Sequence, residues 1–195
     1  MKKFSTSFTV ELPQWACELA EQLPECIESR EDRMRLVHEL ADKNIINNTG
    51  GPFAAAVFES ASGKVVSIGV NRVMPHNCSS AHGEVVALSL AQARLGTFDL
   101  GRSDLPEHEL VVNWLPCTMC YGAVIWSGVK RLVIAGNGPE LEEITGFDEG
   151  PRPEDWEQQL NNRGIAVINN VLRDEALTTF KRFRDMNKYV YNARK

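Results

Sequence analysis

Two short segments of the 195-residue chain carry residue types that do chemistry together: Ala81-His82-Gly83-Glu84 and Pro116-Cys117-Thr118-Met119-Cys120. Each falls where the apolar pattern opens a helix. Cys117 and Cys120 stand three apart, so on a first helical turn both sulfurs face one way. A helix N-terminus lowers a thiol's pKa and favours the thiolates that zinc requires. His82, at the start of a neighbouring helix, supplies a third ligand. One imidazole and two thiolates leave a tetrahedral position open for water, the arrangement of a catalytic zinc site. Glu84, two residues beyond His82, then stands beside that water without being a ligand, where a carboxylate can accept a proton and hand it on.

Blander readings compete. A C-x-x-C pair alone could be a redox dithiol, but redox chemistry needs no His-x-Glu and usually sits in a thioredoxin-like context, which is not visible here. A closed structural zinc site needs a fourth protein ligand, for which Cys78 and His76 are the candidates; both read rather as flanking the site. His38 and His108 read as surface or helix-face histidines.

The elements that must position these residues can be read from periodicity. Residues 13–27 and 29–46 look helical, the second with Met34, Val37, Ala41 and Ile45 in one stripe. Phe53–Phe58 and Lys64–Val70 form a hairpin through Ser60-Ala61-Ser62-Gly63. Ala81–Leu95 is a helix with Val85, Leu88 and Ala91 at helical spacing. Leu110–Trp114 is a strand, Cys117–Ser127 a helix, and Arg131–Ala135 a buried-type strand. A loop rich in Gly, Pro and acid runs from Gly136 to Pro153. A helix near 154–162, a strand at Ile165–Ile168, a helix at 171–187 and a polar tail follow. Successive strand-to-helix units point to an α/β layered sheet. No linker divides the chain, so we expect one domain over 1–195, with a helical N-terminal extension over 1–48 and a tail over 188–195.

Composition narrows the function. With 43% hydrophobic and 24% charged residues the chain is ordinary globular protein. No apolar run approaches a membrane span, and the N-terminus lacks the apolar core of a signal peptide. Five cysteines, an odd and sparse count, fit the reducing cytoplasm better than a disulfide framework. A net charge of −5 disfavours a long nucleic acid as partner and favours a compact small molecule.

H-x-E followed by P-C-x-x-C resembles the cytidine deaminase superfamily of zinc hydrolases, in order of elements across most of residues 29–187. The resemblance implies a three-layer α/β fold with a central five-stranded mixed sheet, helices on both faces, and one zinc per chain. It also implies hydrolytic removal of an exocyclic amino group from a nucleobase-like ring. Gly51–Val57, Asn71-Arg72-Val73, Tyr121–Trp126, Gly146–Pro151 and Tyr189–Arg194 are similar to the bacterial guanine deaminase branch. That likeness implies Asn71 on the base, a carboxylate at Glu149 or Asp148 meeting the substrate edge and assisting proton delivery, Phe53 and Trp114 lining the pocket, and a C-terminal segment with Tyr191 closing it. It further implies a homodimer, with that segment acting in cis or exchanged into the partner. The expected reaction is guanine to xanthine plus ammonia. The alternatives are a nucleoside or tRNA deaminase, a deaminase of another aminoheterocycle, and a zinc scaffold that has lost catalysis. Two departures stand out. Gly83 replaces the family's usual alanine. Asn113-Trp114-Leu115 stands where a small residue and then glutamate are common, so a bulky apolar floor is expected to narrow the choice of base.

Overall fold

The protein was analysed as a computed structural model describing residues 5–193. The N-terminal lysines, and Arg194 and Lys195 of the tail, lie outside the described residues. In chain order the elements are α1 (Gln14–Gln22), α2 (Arg30–Ile46), β1 (Ala54–Glu59), β2 (Val65–Val70), α3 (Val73–His76), α4 (Gly83–Leu95), β3 (His108–Val112), α5 (Thr118–Ser127), β4 (Arg131–Ile134), α6 (Glu140–Thr145), α7 (Trp156–Asn161), β5 (Ala166–Ile168) and α8 (Arg173–Asp185).

The strands form one sheet in the order β2-β1-β3-β4-β5. β1 runs antiparallel to β2 and β3, while β3, β4 and β5 are parallel, which makes the mixed five-stranded sheet that the motif order implies. β1, β3 and β4 are almost wholly buried, as strands covered on both faces must be. Alternation along the strands assigns the faces. Phe58 and Glu109 are paired across β1 and β3, and Arg33 of α2 lies over that Phe58 ring and binds that Glu109. The next residue along, Val57, pairs with Ser67, whose hydroxyl donates to the carbonyl of Ala87 in α4. α2 and α4 therefore cover opposite faces.

α2 starts where Ser29 caps the Asp32 N–H and two acids occupy the first turn. Its stripe of Met34, Val37, Ala41 and Ile45 is fully buried. Of the spacing read for α4, Leu88 and Ala91 are buried and Val85 is half-exposed, with Val86 and Ala87 completing the buried face. Gly69 and Gly83 let the backbones of β2, α4 and β1 approach closely, so small residues occupy that crossing. A Cβ at Gly83 would stand 3.1 Å from Ala54 Cα.

Several expectations need correction. His38 and His108 are buried, not on the surface. His38 Nε2 lies 3.2 Å from the carbonyl of Leu172, and burial holds its pKa down at about 4. His108 opens β3 and its Nδ1 lies 2.9 Å from the carbonyl of Leu100. β3 spans 108–112 rather than 110–114. Asn113 leaves the strand because its side chain accepts from the Ala54 N–H at 3.1 Å and donates to the Pro52 carbonyl at 2.8 Å. The acidic loop from 136 to 153 contains α6, whose first turn carries Glu140, Glu142 and Glu143, charges that suit a helix N-terminus. A short α3 occupies what read as loop.

Beneath α2, Glu109 binds Arg33 at 2.7 Å and Arg131 at 2.9 Å, with the Arg33 guanidinium also donating to the carbonyls of Ile27 and Glu28. Glu109→Ala strands Arg33 in the core and should lower stability by about 3–5 kcal/mol in urea unfolding. A loss below about 1 kcal/mol, the size of a surface pair, would contradict that role.

Candidate active site

Helices α4 and α5 begin side by side, and their N-termini build the site. His82 is the N-cap residue of α4 and Cys117 that of α5, with Cys120 in the first turn behind it. His82 Nδ1 lies 3.5 Å from each sulfur, and the three ligand atoms fall within 4.8 Å of one another. A tetrahedral zinc bound at about 2.3 Å to sulfur and about 2.0–2.1 Å to nitrogen sets N···S edges of about 3.5 Å, so the cluster fits the ion. The hydrogen bond from Cys120, and then that of His82, pulls the Cys117 thiol down to about 4. Among the described residues no fourth ligand joins the cluster. Cys78 Sγ pairs with Ser80 Oγ, and His76 Nε2 sits between Glu11 and Arg72. The set is an open one, as catalysis requires.

Glu84 occupies the first turn of α4 and is buried. Burial, followed by the charge of Cys117, pushes its pKa up. A second carboxylate approaches from the loop after α6. The Glu149 carbonyl accepts from the N–H and hydroxyl of Thr118 in α5, so the loop is pinned beside the cysteines. Burial pushes the Glu149 pKa up to about 8, with Cys117 and Glu84 adding repulsion. Arg152 opposes this from 3.9 Å, and its guanidinium also donates to the carbonyl of Pro116.

These groups open onto a cavity of about 790 Å³ lined by Phe53, Asn71, Glu84, Trp114, Phe147 and Phe183, among others. The volume suits a small molecule. Phe53 meets Phe147 edge-on at 5.1 Å, and Phe147 stacks on Phe183 at 5.4 Å. Asn71 is buried, with Oδ1 accepting from the N–H groups of Gly51 and Val73. Trp114 is only 2% exposed: Phe180 meets its ring edge-on and the Arg173 guanidinium lies over it. The indole is thus packed into the wall, and with Leu115 it borders the cavity without filling it. Tyr191, with Lys188, Tyr189, Asn192 and Ala193, borders the cavity of its own chain. Asn192 ties that tail down by accepting from the Asp148 N–H and donating to the Gly146 carbonyl, both at 2.8 Å. Asp148 itself is exposed at the rim, with Oδ1 accepting from the Gly150 N–H.

The residues named from sequence therefore converge on one place. Phe147, Phe183, Thr118, Arg152 and the buried Asn44 were not foreseen. Phe183 does share an apolar face with Ala176 and Phe180, at spacings of four and three.

An open one-imidazole, two-thiolate cluster facing a buried carboxylate, on a mixed sheet between helical layers, defines a zinc-dependent aminohydrolase. Residues 27–136, more than half the chain, match the cytidine and deoxycytidylate deaminase zinc-binding region, and the chain belongs to that family. It is similar to a solved guanine deaminase from Nitrosomonas europaea, with 46% identity covering 94% of this chain and 100% of that one, and a TM-score of 0.88. Among curated proteins it is 29% identical to the guanine deaminase of Bacillus subtilis over 153 residues, 78% of this chain and 92% of the relative. It is also 30% identical to the tRNA-specific adenosine deaminase of Haemophilus influenzae over 166 residues, 84% of this chain and 89% of the relative.

With a pKa of about 8, Glu149 is protonated at neutral pH and loses its proton above that value. If the protonated form is the working one, turnover falls as pH rises through about 8. Arg152→Ala removes the charge that opposes the upward shift, so the alkaline limb of the pH–rate profile should move to higher pH. A limb that stays in place or moves down would contradict this pairing.

Proposed function

We propose that the chain deaminates free guanine to xanthine and ammonia. The observation that carries this reading is the likeness, along nearly the whole chain, to the Nitrosomonas guanine deaminase. The aromatic lining supports it, since a flat base can pack against the rings of Phe53, Phe147 and Phe183.

His82, Cys117 and Cys120 hold the zinc in this reading. When bound, zinc supplies a Lewis acid that lowers the pKa of its water. Glu84 would accept the proton of the attacking water and deliver it to the ring nitrogen beside the carbon under attack, C2 of guanine. Glu149, neutral below its raised pKa, assists departure of the amino group as ammonia. Asn71 binds the base edge, while Phe53 and Trp114 wall the pocket. Asp148 and Tyr191 belong to its rim. The described part of the tail, from Lys188 to Ala193, closes the pocket, and the chain acts as one deaminase domain.

A homodimer is part of the proposal. Trp126 of α5 is 86% exposed, with Gly122 and Met119 one and two turns before it, an apolar face suited to a second copy. No helix among the described residues is long and apolar enough to cross a membrane. Cys17, Cys26 and Cys78, beside the two zinc-holding cysteines, are free thiols that suit a reducing, cytoplasmic setting.

The Haemophilus relative favours a second reading, tRNA adenosine deamination. Its 30% identity, against 46% for the Nitrosomonas guanine deaminase, and the net charge of −5 weigh against it. Ammonia release should be compared for guanine, guanosine, adenine, adenosine, cytosine, ammeline, pterins and a tRNA anticodon stem. Guanine should be fastest. Faster turnover of a nucleoside or of the RNA under the same conditions would overturn the proposal.

A further inference from the structure

The amide of Asn71 is oriented by a relay that begins outside the cavity. Asn71 Oδ1 accepts from the N–H of Gly51 at 3.4 Å and of Val73 at 3.3 Å. Both bonds are long, so each depends on where the two backbone segments are held. Asn44, fully buried on α2, holds them. Its Nδ2 donates to the Gly51 carbonyl at 2.9 Å and to the Asn71 carbonyl at 3.0 Å. A Cβ at Gly50 would stand 2.5 Å from that Nδ2, so the loop fits only with glycine there.

The direction of the Asn44 amide is set in turn by Thr49. Its hydroxyl lies 2.8 Å from Asn44 Oδ1 and 3.0 Å from Trp15 Nε1 of α1. An indole N–H can only donate, so the hydroxyl accepts there and gives its single proton to Asn44, whose Oδ1 at 2.8 Å is nearer than its main-chain carbonyl at 3.3 Å. Asn44 Oδ1 is then the acceptor, and its Nδ2 must face the two carbonyls. Polarity passes from Trp15 through Thr49 and Asn44 to the segments that engage Asn71 Oδ1, and the two carbonyls, which can only accept, agree with it. What Asn71 has left for a ligand is its Nδ2, a donor.

We propose that Asn44, oriented by Thr49 and Trp15, is a positioning residue that fixes Asn71 with Nδ2 toward the substrate, so that the site selects a base edge carrying a hydrogen-bond acceptor, a carbonyl oxygen or an unprotonated ring nitrogen. The proposal rests on the reading of Asn71 as a substrate contact. It makes α1 and α2 part of the specificity apparatus.

The test is a mutant cycle on the zinc-loaded enzyme. Thr49→Val keeps the shape and removes the hydroxyl, and Thr49→Ser keeps the hydroxyl. Loss of one such bond predicts a KM raised roughly fivefold in Thr49→Val, with kcat little changed, and recovery in Thr49→Ser. In an Asn71→Ala background Thr49→Val should add nothing to KM. Asn44→Ala should raise KM further than Thr49→Val; if it fails to fold, the threonine pair decides alone. Independent, multiplying effects of Thr49→Val and Asn71→Ala, or failure of serine to rescue, would overturn the proposal. The cycle is run on whichever aminoheterocycle the wild type turns over fastest. A preference for a base other than guanine then contradicts the functional reading, and the cycle still decides the role of Asn44.

Discussion

Four acidic side chains, Cys117, Cys120, Glu84 and Glu149, crowd one pocket, and the structure depends on making that crowd tolerable. Like charges in a low-dielectric site repel strongly and disfavour ionisation. Burial first, and then repulsion from Cys117, pushes both carboxylates up. The opposing influences are equally local. Helices α4 and α5 both start at the site, so two positive helix ends face the sulfurs, and His82 sits between them. A divalent cation completes the balance, which is why a zinc-binding fold and a carboxylate pair occur together here.

That convergence places demands on the framework. α4 must lie close on β1 and β2, and Gly69 and Gly83 provide the approach. Gly83 stands where the family commonly has alanine; here the room for a Cβ is narrow, so glycine suits the tight crossing. The opposite face supplies the cage. α8 brings Phe180 and Phe183 against Trp114, Phe53 and Phe147, while Thr179 and Arg182 tie α8 to Asp42 of α2. The metal-binding cluster and Glu84 thus ride on the α4–α5 layer, and the aromatic walls of the cavity come largely from the α2–α8 layer and the loops between.

Much of this was legible in the residues. The zinc cluster was, because its signal is local: His82, Cys117 and Cys120 each sit at or just inside a helix start. The hairpin followed from its two short β-rich runs, and the five-stranded mixed sheet from the family resemblance. The misjudged features all depend on tertiary context. A histidine's fate depends on what covers it, and His38 and His108 were covered. Asn113 left its strand to serve Ala54 and Pro52, partners distant in sequence. α6 did carry a signal in its three first-turn glutamates, but the surrounding Gly and Pro outweighed it. Asn44 looked like any polar residue near a helix end. Trp114 read as a floor for the base, whereas Arg173 and Phe180 fold it into the wall.

The central claim is that Glu84 moves protons and does not hold the metal. It is tested most directly by measuring zinc content and guanine turnover together in Glu84→Gln. The amide keeps the size and polarity of the side chain but cannot take up the proton. One zinc per chain should remain, and turnover should fall by at least the ~10²–10⁴-fold of a lost general acid–base. Near-normal turnover in the zinc-loaded variant, or loss of zinc on this substitution, would contradict that assignment.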